Sequence, residues 1–381
     1  MPKANARMVV VTLWAAAAMT LFPHFLGAQN LKPGLPMTPR QEELMAEASD
    51  LSDRRLYDSA LGLYNQALAL NPDAYEVLYE QALVSRLAGK LDLAIEIALR
   101  GASYDSPIWS DFYAMVAEIY GDRKQWRAAT TLLEQALSAR PDETSLLLHL
   151  GKSYLFAGES NEARPVLERV VTVDPKSLMG HVYLGQAYGR RRYLSPMILA
   201  FLRGMELDQN STPTVQGLEI VLGVCGWGVG VNDTTPLQRL FGWRGWGVYI
   251  DDSRPISYLE RGVDLQYDEG NFTNAGRFVQ LSQLRRGADG HINNTEKFIA
   301  VMDRFIQLLP DATTGQGFAA QYYAPYLKAL RAAGHLPAYC YNILKPVPDA
   351  AVLLWTKTNE QKIDAYKRWA MTYRWNAGGG K

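Results

Sequence analysis

Apolar side chains recur at spacings of three and four residues from about residue 41 to residue 208, and this pattern predicts a succession of amphipathic helices. Residues 60–68 and 129–137 are two such stripes, and both stand at the same distance from a following proline. The prolines that close these segments recur at a nearly constant interval, and they are Pro72, Pro107, Pro141 and Pro175. Because proline cannot continue a helix, the pattern predicts a repeat of about 34 residues whose second helix ends before the proline.

The first half of the repeat carries a small residue that is followed three residues later by an aromatic one. Gly151 precedes Tyr154 in this way, and Gly185 precedes Tyr188. A glycine at this position lets the neighbouring helix approach closely, and the aromatic ring fills the space further along. The glycines expected where a first helix stops and turns are Gly89 and Gly158.

These features together resemble the tetratricopeptide repeat family over roughly residues 38–208. The resemblance implies an all-α fold with a right-handed α-solenoid of about five helix pairs. One pair cannot bury its apolar face alone, so each pair would hide the face of the pair before it. The five units, with 41–208 as the solenoid, are about 41–74, 75–109, 110–143, 144–177 and 178–208.

The resemblance also implies a concave groove, lined by the first helices, that binds an extended peptide or a helix of a protein partner. Carried onto this sequence, the partner-binding residues are Tyr79, Leu83, Arg86, Leu148, Lys152, Phe156, Gln186 and Arg190. The alternative is that these are ordinary exposed residues of a spacer solenoid. Some family members clamp a terminal carboxylate with lysine and asparagine. The matching positions here hold Met45, Ser49 and Asp111, so that mode is not supported.

The repeat phase is lost after Asp208, and the chain becomes richer in aromatic residues. Residues 209–250, rich in glycine and tryptophan, are predicted to form a connector or cap, and residues 251–381 a mostly helical C-terminal domain. Trp243 and Trp246 have two interpretations. They pack onto the last repeat and cap it, or they form a stacking platform for a glycan or a docking partner.

Apolar stripes and breaker residues predict the helices of the C-terminal domain. They are 294–309, 317–333 with an interruption at Pro325, 338–344 and 359–373. About sixty residues from Gly315 onward, with Tyr322, Tyr339 and Trp369, loosely resemble the carboxy-terminal region of exported bacterial tetratricopeptide proteins of unknown role. That resemblance implies an architecture and a compartment, and no activity.

The N-terminal segment, residues 1–28, has the order of a secretory signal peptide. Lys3 and Arg7 precede an apolar run from Met8 to Phe22, and small residues follow up to Ala28. The run is short for a membrane span, so cleavage near Ala28 is predicted, with an uncleaved anchor as the alternative. Residues 29–40 would then be a linker, and the protein would be exported, most simply to a bacterial periplasm.

Composition and spacing point away from catalysis. The 381 residues hold 39 basic and 39 acidic side chains, so the chain lacks the positive surplus that nucleic-acid binding needs. No histidines stand at metal-ligand spacing, and no nucleophile motif is present, so no catalytic residue, metal or cofactor is predicted. Cys225 and Cys340 are either one disulfide outside the cytoplasm or two separate buried thiols.

We therefore predict a non-catalytic scaffold of the bacterial cell envelope that binds one or more protein partners. The partners would belong to an envelope, secretion or polysaccharide-export assembly, and membrane association would come through such a partner. The alternative is a glycan- or peptidoglycan-binding module that uses the aromatic C-terminal domain, and a hydrolase is the third, less favoured class.

Overall fold

The structure, a computed structural model, describes residues 31–191, 193–224, 294–311, 317–347 and 349–375. These residues are mainly α-helical, and the predicted all-α class is confirmed. They form two compact units. The first contains the described residues up to 123 together with 131–143, and the second contains 124–130 together with the described residues from 144 onward.

In the first unit, consecutive helices pack against one another as antiparallel pairs. The helices are α1 (Pro39–Asp53), α2 (Tyr57–Leu70), α3 (Tyr75–Leu87), α4 (Leu91–Gly101) and α5 (Trp109–Asp122). The core between them holds Tyr64, Leu78 and Phe112, each at most 1% exposed. Helix α1 starts at a capping box, in which the hydroxyl of Thr38 accepts from the backbone N–H of Gln41 and the Gln41 side chain accepts from the backbone of Thr38.

A short parallel β-pair ties the N-terminal segment to the first unit. Strand β1 (Lys32–Pro33) pairs with β2 (Tyr104–Asp105), which follows α4, with Lys32 opposite Tyr104. The Lys32 ammonium also lies 5.9 Å from the centre of the Tyr104 ring. Residues 32 and 33, which were predicted to belong to a linker, are therefore held against the repeat helices.

Helix α6 (Trp126–Ala139) has residues in both units, and the second unit continues the same alternation. It contains α7 (Thr144–Ala157), α8 (Ser160–Val173), α9 (Leu178–Arg190), α10 (Leu194–Leu207) and α11 (Thr212–Val224). The first helices α7, α9 and α11 begin at equal intervals that match the spacing of the closing prolines, so the helical register extends one helix beyond Asp208. The rest of the predicted connector, residues 225–250, lies outside the described residues, and the predicted boundary stays a prediction.

The turn between the two helices of a pair has a recurring left-handed residue. Gly89 and Gly158 adopt φ angles of 76° and 87°, as expected of the glycines that end first helices. Arg55 and Lys124 occupy the same place with φ angles of 61° and 57°, and Gly334 repeats it in the C-terminal region with 76°. At Gly89 the backbone N–H of the next residue bonds back to the carbonyl five residues earlier, the bond of a Schellman turn.

Close helix contact explains the glycines inside first helices. A Cβ added at Gly151 would lie 2.5 Å from Leu167, and one added at Gly185 would lie 2.8 Å from the Phe201 ring. Both distances are too short for carbon atoms in contact. The role predicted for these glycines is therefore confirmed, because the second helix of each pair occupies the space a side chain would need.

The C-terminal region of the second unit contains further helices, and the second and third of them pack on α10. In chain order, the helices are α12 (Asn294–Leu308), α13 (Phe318–Ala332), α14 (Leu336–Ile343), α15 (Ala350–Thr358) and α16 (Glu360–Thr372). The predicted interruption at Pro325 is wrong, since α13 continues through it. Tyr322 and Tyr326, on either side, are 3% and 2% exposed, and this packing holds the helix together despite the lost hydrogen bond. Helix α15 was not predicted.

Candidate partner-binding surfaces

One face of α3 presents Tyr79 and Leu83, one helical turn apart and both half-buried. The ring of Tyr79 meets Phe112 of α5 edge-on, with ring centroids 5.5 Å apart and planes at 75°. Burial raises the pKa of Tyr79, so its phenol stays neutral and can donate or accept a hydrogen bond. This face therefore combines a fixed aromatic ring with an aliphatic side chain.

Arg86, the third predicted binding residue in the first unit, is engaged by neighbouring carboxylates. Its guanidinium donates to Glu118 at 2.6 Å and to Asp122 at 2.9 Å, and both acceptors belong to α5. The Arg86 side chain is 25% exposed. The two ion pairs link first helices of successive repeats, and they reduce the capacity of Arg86 to attract an acidic partner.

Phe156, near the end of α7, is the most exposed of the predicted binding residues, at 44%. It stacks on Trp126 of α6 at 5.3 Å with planes 22° apart, and it meets Tyr183 of α9 edge-on at 6.4 Å. We call Trp126, Phe156 and Tyr183 the aromatic row. Rings on both sides restrict Phe156, so its exposed surface is held in one orientation, as in the aromatic anchors of protein interfaces.

The other predicted residues of the second unit lie along α7 and α9. Leu148 is half-buried against the hydrophobic core, and Lys152 is half-buried one turn later. Gln186 and Arg190 are also half-buried. The guanidinium of Arg190 donates to the carbonyl oxygen of Leu155 in the last turn of α7, where helix carbonyls lack intrahelical partners. Burial lowers the pKa of Arg190. Arg190 therefore has a capping role that the sequence did not reveal.

The predicted set thus divides between the units. Tyr79, Leu83 and Arg86 belong to the first unit, and the remaining five residues belong to the second. Trp243, Trp246 and Cys225 lie outside the described residues, so the glycan platform and the disulfide stay predictions. Cys340 is described and is fully buried in α14.

Sequence reasoning missed the aromatic partners of Phe156 and a buried polar cluster on α10. The cluster consists of Arg203 and Glu206, whose side chains are 11% and 6% exposed and form an ion pair of 2.7 Å. The phenols of Tyr326 and Tyr366 donate to the same carboxylate. The available signal was an arginine and a glutamate three residues apart within a strongly apolar helix.

Within the residues that the structure describes, histidine, cysteine, aspartate and glutamate side chains nowhere come together in a group of three or more that could hold a metal ion. No described helix combines the length and the apolar character needed to cross a membrane.

Two models of the tetratricopeptide repeat match this chain, one over residues 45–107 and the other over residues 122–181. The chain contains tetratricopeptide repeats over these two segments. The matched segments contain the left-handed turns at Gly89 and Gly158 and the close-packed Gly151. The repeats support a role in protein–protein interaction, and folds of this kind are typically non-catalytic scaffolds.

The chain is 24% identical over 161 residues to the human protein O-mannosyl-transferase TMTC3. The shared stretch covers 42% of the chain and 18% of the transferase. Among solved structures the chain is similar to TTC0263, a thermophilic TPR protein of Thermus thermophilus, with 20% identity and a TM-score of 0.39. The match covers 48% of this chain and 99% of TTC0263. The chain is also similar to YrrB, described as a TPR protein with an unusual peptide-binding site, with 16% identity and a TM-score of 0.36. That match covers 46% of this chain and 90% of YrrB.

Proposed function

We propose that this protein is a non-catalytic scaffold whose first helices bind a peptide or helix of a protein partner. The observation that carries the proposal is the aromatic row, in which Phe156 is 44% exposed although Trp126 and Tyr183 hold it in place. An exposed ring of fixed orientation contributes apolar contact area and loses little conformational entropy on binding. Tyr79 and Leu83 provide a comparable aromatic and aliphatic pair in the first unit.

Site-specific photo-crosslinking in the source cells tests this proposal. A benzophenone amino acid replaces Phe156 in one variant and Val173 in the control, because Val173 has a similar exposure of 46% but lies at the end of the second helix α8. Tyr79 and Leu93, which is 40% exposed on α4, form the corresponding pair in the first unit. We expect one protein adduct, identified by mass spectrometry, from positions 156 or 79 and none from the controls. Equal adducts from a test position and its control would contradict groove binding.

We also propose that the scaffold works in the bacterial cell envelope, which rests on the signal-peptide pattern of residues 1–28. Expression of the full chain, followed by fractionation and N-terminal mass analysis, tests this. An exported protein that begins at Gln29 supports the proposal, and a protein that keeps Met1 in the cytoplasmic fraction contradicts it. We propose no transferase activity, since the shared stretch covers less than a fifth of the human relative.

A further inference from the structure

The first helices α3 and α5 carry an unbalanced negative charge. They contain five acidic residues, and Arg86 is their one basic residue. Glu118 and Asp122 form the ion pairs with Arg86 described above. The three that remain, which we call the acidic face, are Glu76, Glu80 and Asp111. Among the described residues, no cation forms an ion pair with any of these three.

The acidic face surrounds the predicted binding residue Tyr79. Besides burial, the negative charges of Asp111, Glu80 and Glu118 raise the pKa of Tyr79, and the charge of Arg86 lowers it less strongly. The three carboxylates and the ion-paired Arg86 therefore lie within electrostatic reach of the phenol. Glu76 lies three residues before Tyr79, and therefore on the same side of α3. The carboxylates and the aromatic ring thus belong to one surface of the first unit.

Two observations indicate that this surface lacks a positively charged partner. Burial raises the pKa of Glu80 and the pKa of Asp111, because water is partly excluded from both and no cation compensates. Independently, Oε2 of Glu76 receives no hydrogen bond, and the carboxylate of this half-buried residue is hydrogen-bonded to the neighbouring Tyr75 phenol, whose pKa it raises. A neutral phenol leaves the negative charge of Glu76 uncompensated, and a cationic group of a ligand would supply the missing counter-charge.

Apolar side chains adjoin the carboxylates on the same helix. Leu83 is half-buried, and Leu87, one turn further along α3, is 54% exposed. A ligand that satisfies the whole surface therefore needs cationic groups for Glu80 and Asp111 and aliphatic groups for Leu83 and Leu87. Free metal ions or polyamines would leave the leucines uncovered.

We propose that the acidic face of α3 and α5 binds a lysine- or arginine-rich amphipathic segment of the partner protein. This inference rests on the proposed function and adds the chemistry of the ligand. Lysine is suited to such a site, because its aliphatic stem covers apolar surface while the ammonium reaches a carboxylate. Complementary charge also accelerates the encounter and suppresses acidic competitors.

Fluorescence anisotropy with the full chain tests the inference. The probe is a fluorescein-labelled peptide of lysine, leucine and alanine about fourteen residues long, roughly four helical turns, and its counterpart has glutamate at each lysine position. We expect the lysine peptide to bind at least about tenfold more tightly than the glutamate peptide. The double variant Glu80→Gln with Asp111→Asn should weaken binding of the lysine peptide about fivefold to tenfold.

A charge-matched control separates the acidic face from the net charge of the protein. Glu47→Gln with Glu96→Gln removes the same charge from exposed positions on α1 and α4, and it should change the affinity less than about twofold. Equal weakening by both double variants, no weakening by either, or preference for the glutamate peptide would each overturn the inference. Circular dichroism verifies that the variants keep their helical content.

The crosslinking experiment shows which idea has failed. A partner that crosslinks at positions 79 or 156 but binds equally well to the Glu80→Gln, Asp111→Asn variant would leave the proposed function intact and overturn only the basic-segment inference. The proposed function and the basic-segment inference would both be wrong if no specific adduct forms and the two double variants weaken binding of the lysine peptide equally.

Discussion

The phenol of Tyr323 donates a hydrogen bond of 2.7 Å to Nδ1 of His181, and both residues are buried. The direction of this bond follows from the other ring nitrogen. Nε2 lies 3.1 Å from the carbonyl oxygen of Pro175, which can only accept, so the ring proton is on Nε2. His181 belongs to the repeat helix α9 and Tyr323 to α13. One neutral histidine therefore joins the repeats to the C-terminal helices.

This arrangement predicts that the protein loses stability in mild acid. Burial, with a smaller contribution from the charge of Arg203, lowers the pKa of His181 to about 3, whereas the unfolded chain has the ordinary value near 6.5. The unfolded state therefore takes up the proton first. The stability conferred by neutral His181 is complete above about pH 6.5 and is lost as the pH falls towards 3, by about 1.4 kcal/mol per unit.

Chemical denaturation of the wild type and of His181→Gln between pH 7.5 and 4.5 measures this effect. Glutamine keeps a polar side chain but does not titrate, so the wild type should lose more stability than the variant over this range. Nitrogen NMR of the imidazole provides a second check, since His181 should remain the neutral Nε2–H tautomer at pH 5. A ring that titrates near pH 6.5 would disprove the prediction.

Substitution of Glu206 predicts a second effect on the free energy of unfolding. Its carboxylate accepts from Arg203 and from the phenols of Tyr326 and Tyr366, all within the core of the second unit. Glu206→Gln leaves the buried guanidinium without its counter-charge, and we expect a loss of about 3–5 kcal/mol in the free energy of unfolding. Tyr366→Phe removes one hydrogen bond and should cost about 1 kcal/mol. Denaturation of both variants measures the difference, and equal losses would show that the charge is unimportant.

Local sequence signals were sufficient to predict the repeats. Helix α6 ends before Pro141 because proline cannot continue a helix, and the turn at Gly158 needs a left-handed conformation that glycine adopts readily. Each feature depends on the residue type at one position, so the sequence alone predicts it. The stripe pattern then identified which faces are buried. The helices that carry Tyr79 and Phe156 were predicted for this reason.

Contacts between distant residues could not be predicted in the same way. His181 and Tyr323 are 142 residues apart, and neither neighbourhood contains a signal for the other. The aromatic row likewise requires three helices to be in place before Trp126 and Tyr183 meet Phe156. Pro325 failed as a helix breaker because tertiary packing outweighed a local preference. Which side chains contact one another depends on the tertiary fold, whereas the positions of the helices depend mainly on the local sequence.

Two glycines of different environment predict opposite effects of the same substitution. Gly151→Ala would place a Cβ 2.5 Å from the buried Leu167 side chain, and overpacking of this kind should destabilise the protein by about 1–3 kcal/mol. Gly62 lies inside α2 with nothing within 4 Å of an added Cβ, so Gly62→Ala should stabilise by about 0.5–1 kcal/mol through helix propensity. Denaturation midpoints that shift in the same direction for both would contradict the packing argument.

The left-handed turn residues predict a stabilising substitution at Lys124. This residue has a φ of 57° at the place where Gly89, Gly158 and Gly334 stand in other helix pairs. A side chain in this conformation costs roughly 1–2 kcal/mol, whereas the greater freedom of glycine in the unfolded chain offsets about 0.5–1 kcal/mol. Lys124→Gly should therefore stabilise the protein by about 0.5–1 kcal/mol. Lys124→Ala is the control, because it removes the charge but keeps the Cβ. An equal gain from alanine, measured by chemical denaturation, would attribute the effect to charge and refute the conformational explanation.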